Sequence, residues 1–221
     1  MRRIHFRAAL FLAALLLAAC GGSNSGSDVV VTDPVRGQLL QNPPELVSTV
    51  TAPALLLALN ALANQQLLAI SGTPLCDIAV HSIRYATVGG ANEATTASGA
   101  MMVPLGSDPA CRGSRPILLY AHGTTTDRAF DMTNLQDDPN GEALIMAALF
   151  ASQGYIVVAP NYAGYDSSTL AYHPYLVADQ QSKDMIDALI AARSALPSAA
   201  APATTDSGRL FITGYSQGGF V

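Results

Sequence analysis

The chain has 221 residues, half of them apolar and 12% charged, with a formal net charge of −5. That length and composition suit one folded domain with a sizeable core and exclude a disordered chain. No basic run follows the extreme N-terminus, so nucleic acid is excluded as an expected partner.

Residues 1–19 read as an export signal. Arg2, Arg3 and Arg7 form a positive start, and Ala8 to Ala19 is an apolar run too short to span a bilayer as a mature helix. The run ends Leu17-Ala18-Ala19-Cys20, followed by Gly21-Gly22-Ser23. With small residues before the cysteine and a Gly/Ser stretch after it, this segment resembles the lipobox of bacterial lipoproteins, and the resemblance implies cleavage before Cys20 and lipidation there. An ordinary secretory signal with an incidental cysteine is the plainer alternative. Removal of residues 1–19 deletes three arginines and no acid, which leaves a net charge of −8. Residues 20–45 are expected to form a flexible tether, and residues 46–221 one domain. The localisation expected is the cell envelope, as a membrane-anchored lipoprotein, or the exterior. In an oxidising compartment the two remaining cysteines, Cys76 and Cys111, are expected to pair, with two unrelated buried thiols as the alternative.

From Pro53 a helix is predicted through Leu55, Leu59, Leu62 and Leu67, closed by Gly72 and Pro74. Residues 83–88 and 97–103 read as an antiparallel pair of strands. Residues 117–121 form a short, wholly apolar run, as in a strand covered on both faces. Helix, strand, helix and strand then alternate at 142–152, 155–159, 178–196 and 209–213. This pattern predicts an α/β fold with a mostly parallel sheet and helices on both faces. Asp179, Asp184 and Asp187, with Lys183 between, read as the solvated face of the second of these helices.

Directly after the last strand stands Gly214-Tyr215-Ser216-Gln217-Gly218-Gly219. By composition, a G-x-S-x-G string arises by chance in roughly one chain of this length in ten. Its setting, after a buried strand and opening a helix, carries the argument. Ser216 is the expected nucleophile. Gly214 and Gly218 flank it because a Cβ at either position would crowd the turn. The backbone N–H of Gln217 is the first expected oxyanion donor. The second is expected from the loop Ala121-His122-Gly123-Thr124-Thr125, where the N–H of Gly123 or Thr124 could serve, Thr124 being preferred. Gly123 lets the backbone approach the ligand. His122 is read as a brace for that loop rather than as the base. His173-Pro174 reads as a loop turn that could line the pocket. No cofactor is expected, and no cluster with metal-ligand spacing occurs in the sequence.

These blocks, together with Ala159-Pro160-Asn161-Tyr162-Ala163-Gly164-Tyr165 and Tyr172-His173-Pro174-Tyr175, resemble the α/β-hydrolase superfamily over about residues 80–221. More closely, they are similar to its bacterial secreted or lipoprotein lipase-esterase branch, related to secretory lipases. The middle block departs from the family at Asn161, where Asp is usual, and Asp166 is a candidate substitute. The resemblance implies an α/β-hydrolase fold and hydrolysis of carboxylic esters, from small molecules or lipids, through an acyl-enzyme on Ser216. A serine peptidase of the same fold and a non-catalytic surface lipoprotein are the other readings. All four histidines precede Ser216, whereas the superfamily's acid and base follow the nucleophile. The segment alone is therefore expected to be an N-terminal fragment without native-level activity.

Overall fold

A computed structural model describes residues 34–61, 64–136, 141–199 and 203–221. The expected signal sequence, Cys20 and most of the expected tether lie outside the described residues. Six strands form one mixed sheet in the order β1-β2-β3-β5-β4-β6. They are β1 (Glu45–Val50), β2 (Asp77–Val88), β3 (Ala94–Leu105), β4 (Gly113–Ala121), β5 (Ile156–Pro160) and β6 (Thr204–Gly214). The first three pair antiparallel, β3 meets β5 antiparallel, and β4 runs parallel to both β5 and β6. The strand and helix alternation accounts for the parallel strands β4, β5 and β6, but the sheet as a whole is mixed rather than mostly parallel as expected, since three of its five pairings are antiparallel.

Two of the parallel strands, β4 and β5, form where apolar runs are shielded from water, whereas β6, expected as a buried strand, leaves Leu210, Phe211 and Ile212 exposed. All five residues of β5, and Ile117 to Ala121 of β4, are buried. From β4 the chain crosses to β5 through α3 (Glu142–Leu149), then back past β4 to β6 through α4 (Ala178–Ala195). Because such crossovers are right-handed, reversing direction puts α3 and α4 on opposite faces of the sheet. Alanines 188, 191, 192 and 195 are the small buried residues that let α4 lie close to the strands. Cys76 and Cys111 form a disulfide that ties the start of β2 to the start of β4.

Three further expectations need correction. The helix expected from Pro53 through Leu67 is two short ones, α1 (Ala52–Leu59) and α2 (Gln65–Ser71), preceded by β1. Edge strand β1 has no fully buried residue and so carries no clear alternation. Residues 36–40, expected within the tether, belong to the domain. Gly37 and Leu40 donate to the carbonyls of Ala86 and Arg84, and the Arg36 guanidinium holds Asp187 at 2.9 Å. Backbone pairing of this kind leaves no side-chain signature.

The third correction concerns α4. Asp179 is exposed and pairs with Lys183 at 2.6 Å, but Asp184 and Asp187 are buried. Asp184 accepts from the Tyr85 hydroxyl at 2.9 Å and the Ala163 N–H at 2.6 Å, and Asp187 accepts from the Thr87 hydroxyl at 2.8 Å. Polar residues of β2, about a hundred positions away in sequence, turn this face inward. Burial pushes the Asp184 carboxyl up to about 6, with the Asp187 charge acting the same way.

An unfolded aspartate has lost its proton by about pH 4. Between there and about pH 6 the folded state holds the extra proton, so stability contributed at Asp184 falls as pH rises through that window. Wild type is therefore expected to lose about 2–3 kcal/mol relative to Asp184→Asn between pH 4 and pH 7. Urea unfolding of both proteins across that range measures the difference, and parallel curves would refute it.

Candidate active site

The turn that carries Ser216 grows from the register of the sheet. Gly214, the last residue of β6, lies opposite Ala121, the last residue of β4, so one parallel pair delivers both the turn and the following loop. Ser216 stands between β6 and α5 (Gln217–Phe220) at φ 51° and ψ −110°. Side chains seldom adopt positive φ, and such strain persists only where the surroundings impose it. Here the imposing bonds are Tyr215 N–H to the Ala121 carbonyl (3.1 Å), Gly218 N–H to Tyr215 (2.7 Å) and Gly219 N–H to Ser216 (3.0 Å). Ser216 is exposed, and among the described residues no acceptor takes the Gln217 N–H. Tyr162, Asp166 and Leu176 also have positive φ, and all three lie in the loop between β5 and α4. The unusual backbone is thus concentrated at the carboxyl ends of the parallel strands.

The loop after β4 separates the two candidate donors that the sequence leaves open. The Gly123 N–H is taken by the carboxylate of Glu142, at 2.9 and 3.2 Å. The Tyr120 hydroxyl donates to the same carboxylate. Thr124 keeps an N–H that no acceptor among the described residues engages. Thr124 and Ser216 line one cavity of about 730 Å³, walled by Tyr120, Glu142 and the apolar Ile145, Met146, Leu149 and Phe150. A Cβ on Gly123 would sit 2.9 Å from both Glu142 Oε1 and Tyr215, so only glycine lets the carboxylate close on this loop.

Glu142 is a residue of the candidate site that sequence reasoning missed. It was legible only as the first residue of a helix. The available signal was that it is the one charged residue in an otherwise apolar α3.

His122 is fully buried, stacked 4.1 Å from the Tyr162 ring and 4.5 Å from Phe130. Its Nδ1 lies 2.7 Å from the Gly123 carbonyl and its Nε2 3.2 Å from the Asn161 carbonyl. Tyr162 donates to the His122 carbonyl at 3.0 Å. These contacts knit the Gly123 loop to the loop after β5.

Asn161 is the centre of that second loop. Its amide donates to Ser98 Oγ and Asp131 Oδ1, both at 3.1 Å, and its Oδ1 accepts from Met132 N–H at 2.8 Å. An aspartate at 161 could not donate and would face the Asp131 carboxylate. Asn161 therefore suits a loop that already holds the Asp131 carboxylate beside it. Asp166, the sequence candidate, accepts from Ser98 Oγ at 2.6 Å. A second cavity, of about 560 Å³, lies beyond Thr124 and is lined by Tyr165, Tyr172, His173 and Tyr175. Among the described residues no cluster of three or more His, Cys, Asp or Glu could hold a metal ion.

With this geometry in place, the likeness to known proteins is informative. Residues 144–221 match the profile of the prolyl oligopeptidase family. The rice cell wall degrading esterase LipA from Xanthomonas oryzae is 35% identical with a TM-score of 0.68, covering 84% of this chain and 43% of that one. A ligand-bound form of the same esterase is similar at 34% identity and a TM-score of 0.67. A candidate hydrolase from Legionella pneumophila is 26% identical with a TM-score of 0.65, covering 82% of this chain and 45% of that one. The chain therefore spans less than half the length of these structures. No curated protein matches it.

Proposed function

The chain belongs to the α/β-hydrolase superfamily, and from that premise we propose that the whole protein is a serine hydrolase of uncharged carboxylic esters. The observation that carries this reading is the shared wall of one cavity. Ser216 stands exposed on a positive-φ turn, and the unengaged backbone of Thr124 lines the same space. In this reading Ser216 Oγ attacks the ester carbonyl. The tetrahedral oxyanion is received by the N–H groups of Gln217 and Thr124. The alcohol leaves, and water then cleaves the acyl-enzyme. The proton is carried by a histidine that follows residue 221 in the whole protein, oriented by an acid there. Among the described histidines, His81 is buried within β2, and His122 and His173 turn their ring nitrogens to neighbouring polar groups.

Apolar residues of α3 along the cavity support an apolar acyl group over a charged one, and the Glu142 carboxylate disfavours an anionic acyl group. The esterase relative supports ester over peptide cleavage. The prolyl oligopeptidase profile over residues 144–221 supports the second reading, a peptidase on the same fold. We also read the chain as exported and anchored through lipid on Cys20, a reading supported by the sequence around that residue and by the disulfide.

A fluorophosphonate probe on the full-length protein tests the nucleophile. Labelling is expected at Ser216 and is expected to vanish in Ser216→Ala. Label that persists in that variant would remove the reading. Paired p-nitrophenyl acyl esters and peptide p-nitroanilides then separate esterase from peptidase.

A further inference from the structure

His173 occupies a position the acyl-transfer chemistry above does not use. It sits in the loop between β5 and α4, half-buried, with its ring 4.5 Å from that of Tyr165 and nearly parallel to that of Tyr162 at 5.7 Å. Its Nδ1 is 3.0 Å from the Ala163 carbonyl. A carbonyl only accepts, so Nδ1 carries the proton and Nε2 keeps its lone pair. That lone pair faces the side-chain amide nitrogen of Gln217 at 2.8 Å, with the amide of Gln181 farther off at 3.4 Å. Burial lowers the pKa of His173, in keeping with a neutral ring.

We propose that His173 is a positioning residue that holds the side chain of Gln217, and through it the backbone N–H that receives the oxyanion. This rests on the reading of Ser216 as nucleophile. The Gln217 amide is buried, and its Oε1 has no hydrogen-bond partner among the described residues. The bond to His173 is the one interaction shown for this side-chain amide, so the amide is kept for what its nitrogen does. The support continues behind the ring. Ala163, whose carbonyl fixes the tautomer, has its own N–H clamped by Asp184 at 2.6 Å. Helix α4, the loop after β5, His173 and the nucleophile turn are thus joined by consecutive hydrogen bonds. Gln217 immediately follows Ser216, so a side chain free to rotate would loosen the donor nearest the reacting carbon. Misplacement of a catalytic group by about 1 Å can cost about 100-fold in rate.

The test uses the full-length protein and a p-nitrophenyl ester. His173→Leu removes the acceptor, and Gln217→Met removes the amide at similar size. Each is expected to lower kcat by about 10- to 100-fold with KM little changed. The double variant should lose no more than either single one, because the two act through one bond. His173→Gln, which places an acceptor oxygen near the same point, should recover most of kcat. Multiplying losses, a change confined to KM, or no recovery with glutamine would overturn the proposal. If His173→Leu does not fold, Gln217→Met decides alone, and an unchanged kcat overturns it. Were Ser216→Ala to hydrolyse the ester normally, the nucleophile reading would fail instead, a result these variants do not mimic.

Discussion

Ser216→Ala in the full-length protein is expected to lower kcat for ester hydrolysis by about 10⁴- to 10⁶-fold while leaving KM within a few-fold of wild type. In the proposed mechanism Ser216 forms the covalent intermediate, so its loss would remove the acyl-enzyme route altogether. What remains is the stabilisation that the oxyanion donors give to direct attack by water. Substrate binding is expected to survive because the cavity wall is formed by α3 and by Tyr120 and Thr124, none of which depends on the serine hydroxyl. Folding should also survive, since among the described residues the turn is held by backbone hydrogen bonds rather than by the Ser216 side chain, and alanine lacks only an exposed oxygen. Steady-state kinetics with a chromogenic ester measure both constants. A fall of less than tenfold would mean that another group attacks.

Gly218→Ala is expected to destabilise the fold by about 3 kcal/mol or more and to abolish activity with it. A Cβ at 218 would lie 1.9 Å from the Ala121 carbonyl oxygen and 2.9 Å from that of His122. Both are backbone atoms, at the last residue of β4 and the first after it, and the Ala121 carbonyl also accepts the Tyr215 N–H. Neither can retreat without moving β4 or the loop that carries Thr124. Relief would come from lifting the new helix away, which separates Ser216 from its oxyanion donors. Gly219→Ala is the internal control, because nothing lies within 4 Å of a Cβ there. It should leave stability within about 1 kcal/mol of wild type. Urea denaturation of the two variants side by side measures the contrast, and equal stabilities would refute the packing argument.

How much of this could be read in advance depended on where each signal lies. Strands β4 and β5 announced themselves because burial on both faces demands continuous apolar runs. Strand β6 was legible only from 209 onward, since its first residues, Thr204 to Asp206, pair with β4 through backbone while their side chains are polar. Edge strand β1 and the pairing of residues 36–40 were not legible, for the same reason. At the site, the glycines around Ser216 and the His-Gly step were visible because steric demand restricts residue type. The choice between Gly123 and Thr124 was not, because it is made by Glu142, which reaches back 19 positions to take the Gly123 N–H. The inward turn of Asp184 and Asp187 likewise depends on Tyr85 and Thr87, and helical spacing alone could not report partners from another strand.

The way residues 36–40 run along β2 fixes the pole of the domain at which the chain arrives. Leu39 lies antiparallel to Tyr85, which places the preceding residues beside the end of β2 at Val88. Through β3 and its pairing of Gly99 with Pro160, that is the pole where the parallel strands finish and Ser216 is displayed. The described chain therefore enters the domain at the same end of the sheet that displays Ser216.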